Sequence, residues 1–166
     1  MKKRIIWLAA LAVILFIVPL GAYAGDPVEI TFETISQSPG YGTAYGQNPM
    51  LNIITAPPPN PIFGLSPEDQ AEVESADYTS YFVIVAFWGS SGSSQSHISN
   101  IYQYKEAVWI LADIPTISDE SSGPAPYQII RIEKLQMDDY GNITFRLLKD
   151  FEEKAKAVQN ISAGPL

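Results

Sequence analysis

Along this chain, apolar residues alternate with polar ones or fill short unbroken runs far more often than they follow the three-to-four spacing of a helix. The stretch VEITFETIS, residues 28–36, puts Val28, Ile30, Phe32 and Thr34 on one face and Glu29, Thr31 and Glu33 on the other, which predicts a half-buried strand. Gly, Pro and Asn crowd residues 38–49, SPGYGTAYGQNP, as in a turn or irregular crossing. MLNIITA can make a second, short strand, and the following prolines at 57–61 fix φ and remove donors, so that segment runs extended and unpaired over one end of the domain. One helix start stands out. Ser66 as N-cap, Pro67 in the first turn, then Glu68 and Asp69 predict a short helix over 66–75, ended near Ser75 and Asp77.

YFVIVAFWG, residues 81–89, is apolar on both faces and mostly β-branched or aromatic, the pattern of a central strand covered on both sides. Ile98–Tyr104 and Ala107–Ile114 flank Lys105-Glu106 and predict a hairpin, although neither turn residue favours positive φ. SDESSGPAP, 118–126, reads as an acidic loop. YQIIRIEKL reads as a strand with Ile130 and Ile132 on one face and Ile129 and Arg131 on the other. MDDYGN then turns the chain and ITFRLLKD makes the last strand, with FEEKAKAVQ beyond it as a frayed helix in a C-terminal tail, 151–166. Six or seven strands with one short helix predict an all-β fold, a mainly antiparallel sandwich or open barrel, as a single domain over 25–150.

The first 24 residues change the charge picture. Lys2, Lys3 and Arg4 precede the apolar run Ile5–Leu20, and Ala22-Tyr23-Ala24 places small residues where a signal peptidase cuts, so 1–24 reads as a bacterial export signal. The run is short for a membrane-spanning helix, which argues for cleavage over retention as an anchor and against stable membrane insertion afterwards. With no Cys anywhere, the chain cannot be a lipoprotein, holds no disulfide and offers no thiol nucleophile. Of 10 Lys+Arg the signal takes three, leaving 7 against 18 Asp+Glu and a net charge of −11. Such a surface repels nucleic-acid phosphates and anionic lipid.

Candidate chemistry centres on GSSGSSQSH, 89–97, where five serines stand beside the only histidine. Gly89-Ser90-Ser91-Gly92-Ser93 lacks the Gly-x-Ser-x-Gly spacing of a nucleophile elbow, a strand and not a helix follows it, and Ser96 and His97 should point to opposite faces. The loop therefore reads as an adaptable turn with His97 as a polar strand-start residue, and the chain as non-enzymatic. Neither Asp119-Glu120 nor Asp138-Asp139 has the spacing of a calcium loop, so no metal or cofactor is expected. Aromatics supply the better contact candidates. Tyr41 and Tyr45 in the Gly-rich loop should be exposed, Tyr102, Tyr104 and Tyr127 could add to a surface, and Trp88 and Trp109 should be buried.

An apolar strand ending in a Gly-rich loop, a hairpin, an acidic loop, and a Pro-Tyr pair opening a strand that ends in Lys span residues 77–135. This order resembles the PrcB-like C-terminal domain of exported bacterial proteins. Where that family has a Gly-Gly pair followed by an aromatic, this chain has Gly92-Ser93-Ser94 and His97. The resemblance implies a non-catalytic extracytoplasmic β domain that accompanies another exported protein, such as a protease it stabilises. Binding residues on this reading are Tyr41, Tyr45, Gly89, Gly92, His97 and Tyr127. The alternative is a carbohydrate- or cell-wall-binding β-sandwich.

Overall fold

The computed structural model describes residues 26–41, 48–89, 95–115, 124–137 and 141–161; the expected signal segment and the centres of the Gly-rich, serine-rich and acidic loops lie outside them. Among the described residues, nine strands form two sheets. The first holds β1 (Val28–Glu29), β5 (His97–Tyr104), β6 (Ala107–Asp113), β8 (Gly141–Lys149) and β9 (Glu152–Ile161), in the order β1-β5-β6-β8-β9. The second holds β2 (Glu33–Ser38), β3 (Met50–Ile54), β4 (Tyr81–Phe87) and β7 (Tyr127–Glu133), in the order β2-β7-β4-β3. All described ladders are antiparallel except β6–β8, between which the chain visits the other sheet as β7. The fold is an all-β sandwich with one short helix.

The apolar run at 81–87 takes the place its two-sided pattern requires, with β7 and β3 on either side of β4. Phe82, Ile84 and Ala86 face the five-stranded sheet, where they meet Ile101, Ile110, Ile143, Phe145 and Leu147 in the main core. Val83, Val85 and Phe87 face the opposite way, into a second core closed by Leu65 and by Val73 of the helix α1 (Pro67–Glu74). The four-stranded sheet is thus buried on both faces, whereas the outer face of the five-stranded sheet has no covering element among the described residues. Ser66 caps α1 through a hydrogen bond from the Asp69 N–H, as its position before Pro67 predicts.

The expected single strand over 28–36 divides. Residues 28–29 pair with β5 and residues 33–38 with β7, because Ile30 and Phe32 both turn into the space between the sheets as the chain changes layer. Gln136 bridges the crossing, accepting from the Thr31 N–H at 2.9 Å and donating to its carbonyl at 3.2 Å.

The C-terminal helix is not formed. Residues 152–161 are β9, antiparallel to β8 along its full length. Glu, Lys and Ala carry helix propensity, but that preference is worth only tenths of a kcal/mol per residue and pairing overrides it. Ala155 and Ala157 pack on the main core and Ile161 is buried in it, a period of two that small alanines disguise. The turn before β9 is Asp150-Phe151, with φ of 52° and 64°. Two positive φ values define the hairpin turn for which Asn-Gly is best suited. Replacing Asp150-Phe151 by Asn-Gly should therefore stabilise the protein by about 1 kcal/mol, read as a raised melting temperature. A lowered one would contradict this turn.

Candidate functional site

Sequence-predicted site residues scatter between surface and interior. Tyr41 is 47 % exposed and His97 is exposed at the start of β5, where its Nδ1 lies 3.0 Å from the Gln95 carbonyl and its register partner is Asp113. Gly89, at φ 70°, abuts the backbone of Asn48 so closely that a Cβ would come within 2.8 Å of the Asn48 carbonyl carbon. Gly89 thus fixes where two loops approach one another. Tyr45 and Gly92 lie outside the described residues. The far end of the serine-rich loop is anchored: Ser96 is buried, its carbonyl accepts from Gln37 Nε2 at 3.1 Å, and the Ile98 N–H donates to the buried Gln128 side chain at 2.7 Å. Among the described residues no three His, Cys, Asp or Glu side chains come together as a metal site.

Tyr127 presents nothing to a partner. Its ring is fully buried against Phe87, and its hydroxyl donates to the Asp69 carboxylate and accepts from the Ser66 N–H at 3.1 Å. The helix start that sits over β7 is what buries it. Burial pushes the Asp69 carboxyl up, and hydrogen bonds from Tyr127, Ser36 and Ser66 outweigh that, so it titrates below its ordinary 3.8. A depressed carboxylate stabilises the fold above the ordinary range, and that contribution is lost as pH falls through the folded value. Asp69→Asn should accordingly flatten the fall of melting temperature below about pH 4 relative to the native protein. Parallel acid profiles for the two would show that this tie carries no such linkage.

Trp88 is buried as expected, but Trp109 is only half-buried, on the uncovered outer face of the five-stranded sheet. Since β6 is apolar on both sides, its pattern could not reveal that this face lacks a cover. Register places Glu29, Tyr102, Trp109, Arg146 and Lys156 in one row across all five strands. Tyr104 stacks on Trp109 at 6.2 Å between centroids.

A surface not anticipated from sequence lies where the free edges of β3 and β9 come together. No ladder joins these edges among the described residues, and between them opens a cleft of about 460 Å³. Its walls are β3 residues 51–54, the segment Thr55–Pro59, Ile62, and Ala157 and Gln159 of β9, with no charged side chain. Gln159 Nε2 donates to Thr55 Oγ1 at 3.3 Å across the gap. The prolines thus form a stiff wall instead of a loose connection.

Immediately beyond, Ile62-Phe63-Gly64-Leu65 makes a tight turn. The Leu65 N–H bonds to the Ile62 carbonyl at 3.3 Å, and Gly64 supplies φ 97°, the conformation that a type II turn demands at that position. Ile62 and Leu65 pack inward on the second core, so Phe63 is left at the tip, 76 % exposed. Gln70 of α1 holds the turn by accepting from the Ile62 N–H at 2.9 Å. Pro-x-Phe-Gly was the available signal: a Gly two residues after Ile62 sets the turn, and the residue between them must point outward.

Comparison with known proteins finds no matching family model, no matching curated protein and no matching solved structure.

Proposed function

We propose that this chain is a non-catalytic exported binding module that docks on another exported protein through the β3–β9 edge and the Phe63 turn. The PrcB-like resemblance of residues 77–135 suggests the form of the partnership, an accessory subunit that stabilises a secreted protease. The observation that carries the reading is Phe63, a large apolar side chain left 76 % exposed by a turn tied down on both sides. Leaving such a ring in water has a cost, while a preorganised aromatic anchor loses little entropy on binding. Beside it the uncharged cleft offers two strand edges, whose backbone groups suit an extended partner segment.

Cross-linking pull-down of the tagged protein from its native exported fraction, followed by mass spectrometry, tests this. One stoichiometric protein partner is expected, with recovery falling at least about tenfold for Phe63→Ala, as truncating an interface anchor does. Because Phe63 is exposed, the same substitution should leave the melting temperature nearly unchanged. Recovery of the protein alone, or capture indifferent to Phe63, defeats the reading.

The row Tyr102–Trp109 supports a second reading, a carbohydrate- or cell-wall-binding sandwich, because neighbouring rings on an uncovered sheet can stack on sugar faces. Retention on insoluble polysaccharide that is lost in Trp109→Ala, and kept in Phe63→Ala, would favour it.

A further inference from the structure

We infer that the partner contributes an extended, uncharged segment that pairs with the free edge of β3 and so adds a fifth strand to the four-stranded sheet. This deepens the docking reading and rests on it. An unpaired strand edge is a template for another chain, and natural sheets blunt such edges with shortness, charge, proline or a bulge. The outer strands here are β1 and β9 in one sheet and β2 and β3 in the other. β1 is only two residues long. β2 is interrupted by a bulge between Thr34 and Ser36 and carries Glu33. β9 carries Glu152, Glu153, Lys154 and Lys156, with a bulge where Lys154 falls out of register. β3 has none of these devices. Its five residues, Met50–Ile54, are uncharged, include no proline and pair with β4 in unbroken register.

In an antiparallel pair, every second residue turns its N–H and C=O away from the neighbouring strand. β4 holds one side of β3, so those groups point toward the cleft that residues 51–54 line. Among the described residues, no hydrogen bond reaches the backbone of residues 50–54 from any element but β4. The surrounding side chains say what the added segment carries. Leu51 and Ile53 pack on the main core, and β9 opposes them with Ala157, whose single methyl leaves the space open. Apolar side chains at every second position of the segment fill that space. A Lys or Glu there would lose hydration against walls that hold no charged side chain to pair with it. Ala157 and Gln159 close the far side of the cleft and Thr55–Pro59 wall it beyond Ile54. It therefore admits a single extended chain and not the edge of a second sheet, whose next strand would need the place β9 holds.

A short peptide alternating Thr and Val, followed by amide hydrogen exchange and chemical shifts, tests the inference on the purified protein. It should shift residues 50–63 and slow exchange at alternate β3 amides by at least about tenfold. The same peptide with Lys for Val should not bind. Methylating the amides of its Val residues blocks one edge and of its Thr residues the other, so one methylated form should bind and the other should not. Asn52→Lys gives β3 a charge of the kind that blunts edges, and should weaken binding at least about tenfold. Asn52 is only half-buried, so the melting temperature should stay nearly unchanged. Gln159→Lys, on the opposite wall, should weaken binding in the same way and guards against a folding defect in the first variant. No binding by the Thr-Val peptide, like behaviour of the two methylated forms, or shifts centred on the Tyr102–Trp109 face overturns the inference. So does a dimer of the protein alone that Asn52→Lys dissolves, which would make the occupant a second copy. If the natural partner needs Phe63 but ignores both Lys variants, docking stands and strand addition fails. Indifference to Phe63 itself removes the docking reading underneath.

Discussion

Truncation after Asp150 should leave a chain without a cooperative thermal transition. β9 pairs nine of its ten residues with β8, and removing it deletes Ile161 from the main core together with Ala155 and Ala157 at its margin. Burial of Ile161 alone is worth about 2 kcal/mol. Phe145 and Leu147, inward residues of β8, then lose their cover on one side, and β8 becomes a free edge. A domain of this size has about 5–15 kcal/mol in total, so losses of several kcal/mol together remove most of it. Had the tail been a frayed helix, its removal would cost well under about 1 kcal/mol. The two cases separate in a single melting experiment, and a truncated protein that melts sharply within a few degrees of the full chain refutes β9 as a structural strand.

The second large effect is at Phe82. Its ring is fully buried near the start of β4 and meets Phe145 of the facing sheet edge-on, 5.8 Å between centroids at 64°. This is the contact by which the two sheets lock, and Phe82→Ala removes both the buried area and the ring pair. A loss of about 3–5 kcal/mol is expected from the cavity and the transfer of the ring. At about 4 °C per kcal/mol the melting temperature should drop by roughly 12–20 °C. Phe145→Ala should cost a similar amount, and the double variant less than the sum, because the partners share one interaction. Additive losses would mean that the two rings stabilise the sandwich independently.

These elements differ in how plainly the sequence announces them. β4 is apolar on both faces, so its central, doubly covered place follows from pattern alone. The start of α1 is equally plain, because capping by Ser66 and Pro67 is local chemistry. β9 is hidden because its inward residues are alanines and its turn lacks glycine, and both facts matter only once β8 is beside it. The division of 28–36 depends on where Ile101 and Ile129 lie, far along the chain. In the same way, which aromatic faces water depends on what covers it: α1 buries Tyr127, and nothing described covers Trp109. Residue type placed the aromatics in strands correctly but could not assign their sides. Phe63 follows directly on a proline-rich stretch with no periodic pattern to mark it, although Gly64 carries the turn that exposes it.

The docking claim meets its most direct test in site-specific photocross-linking. A photoreactive phenylalanine analogue at position 63, and separately at position 102 on the opposite, uncovered sheet, would be irradiated in the native exported fraction. The account predicts a single protein adduct from position 63 and none from position 102. An adduct from position 102 alone would contradict it and move the contact surface to the Tyr102–Trp109 face, and no protein adduct from position 63 would remove the Phe63 turn as a docking site.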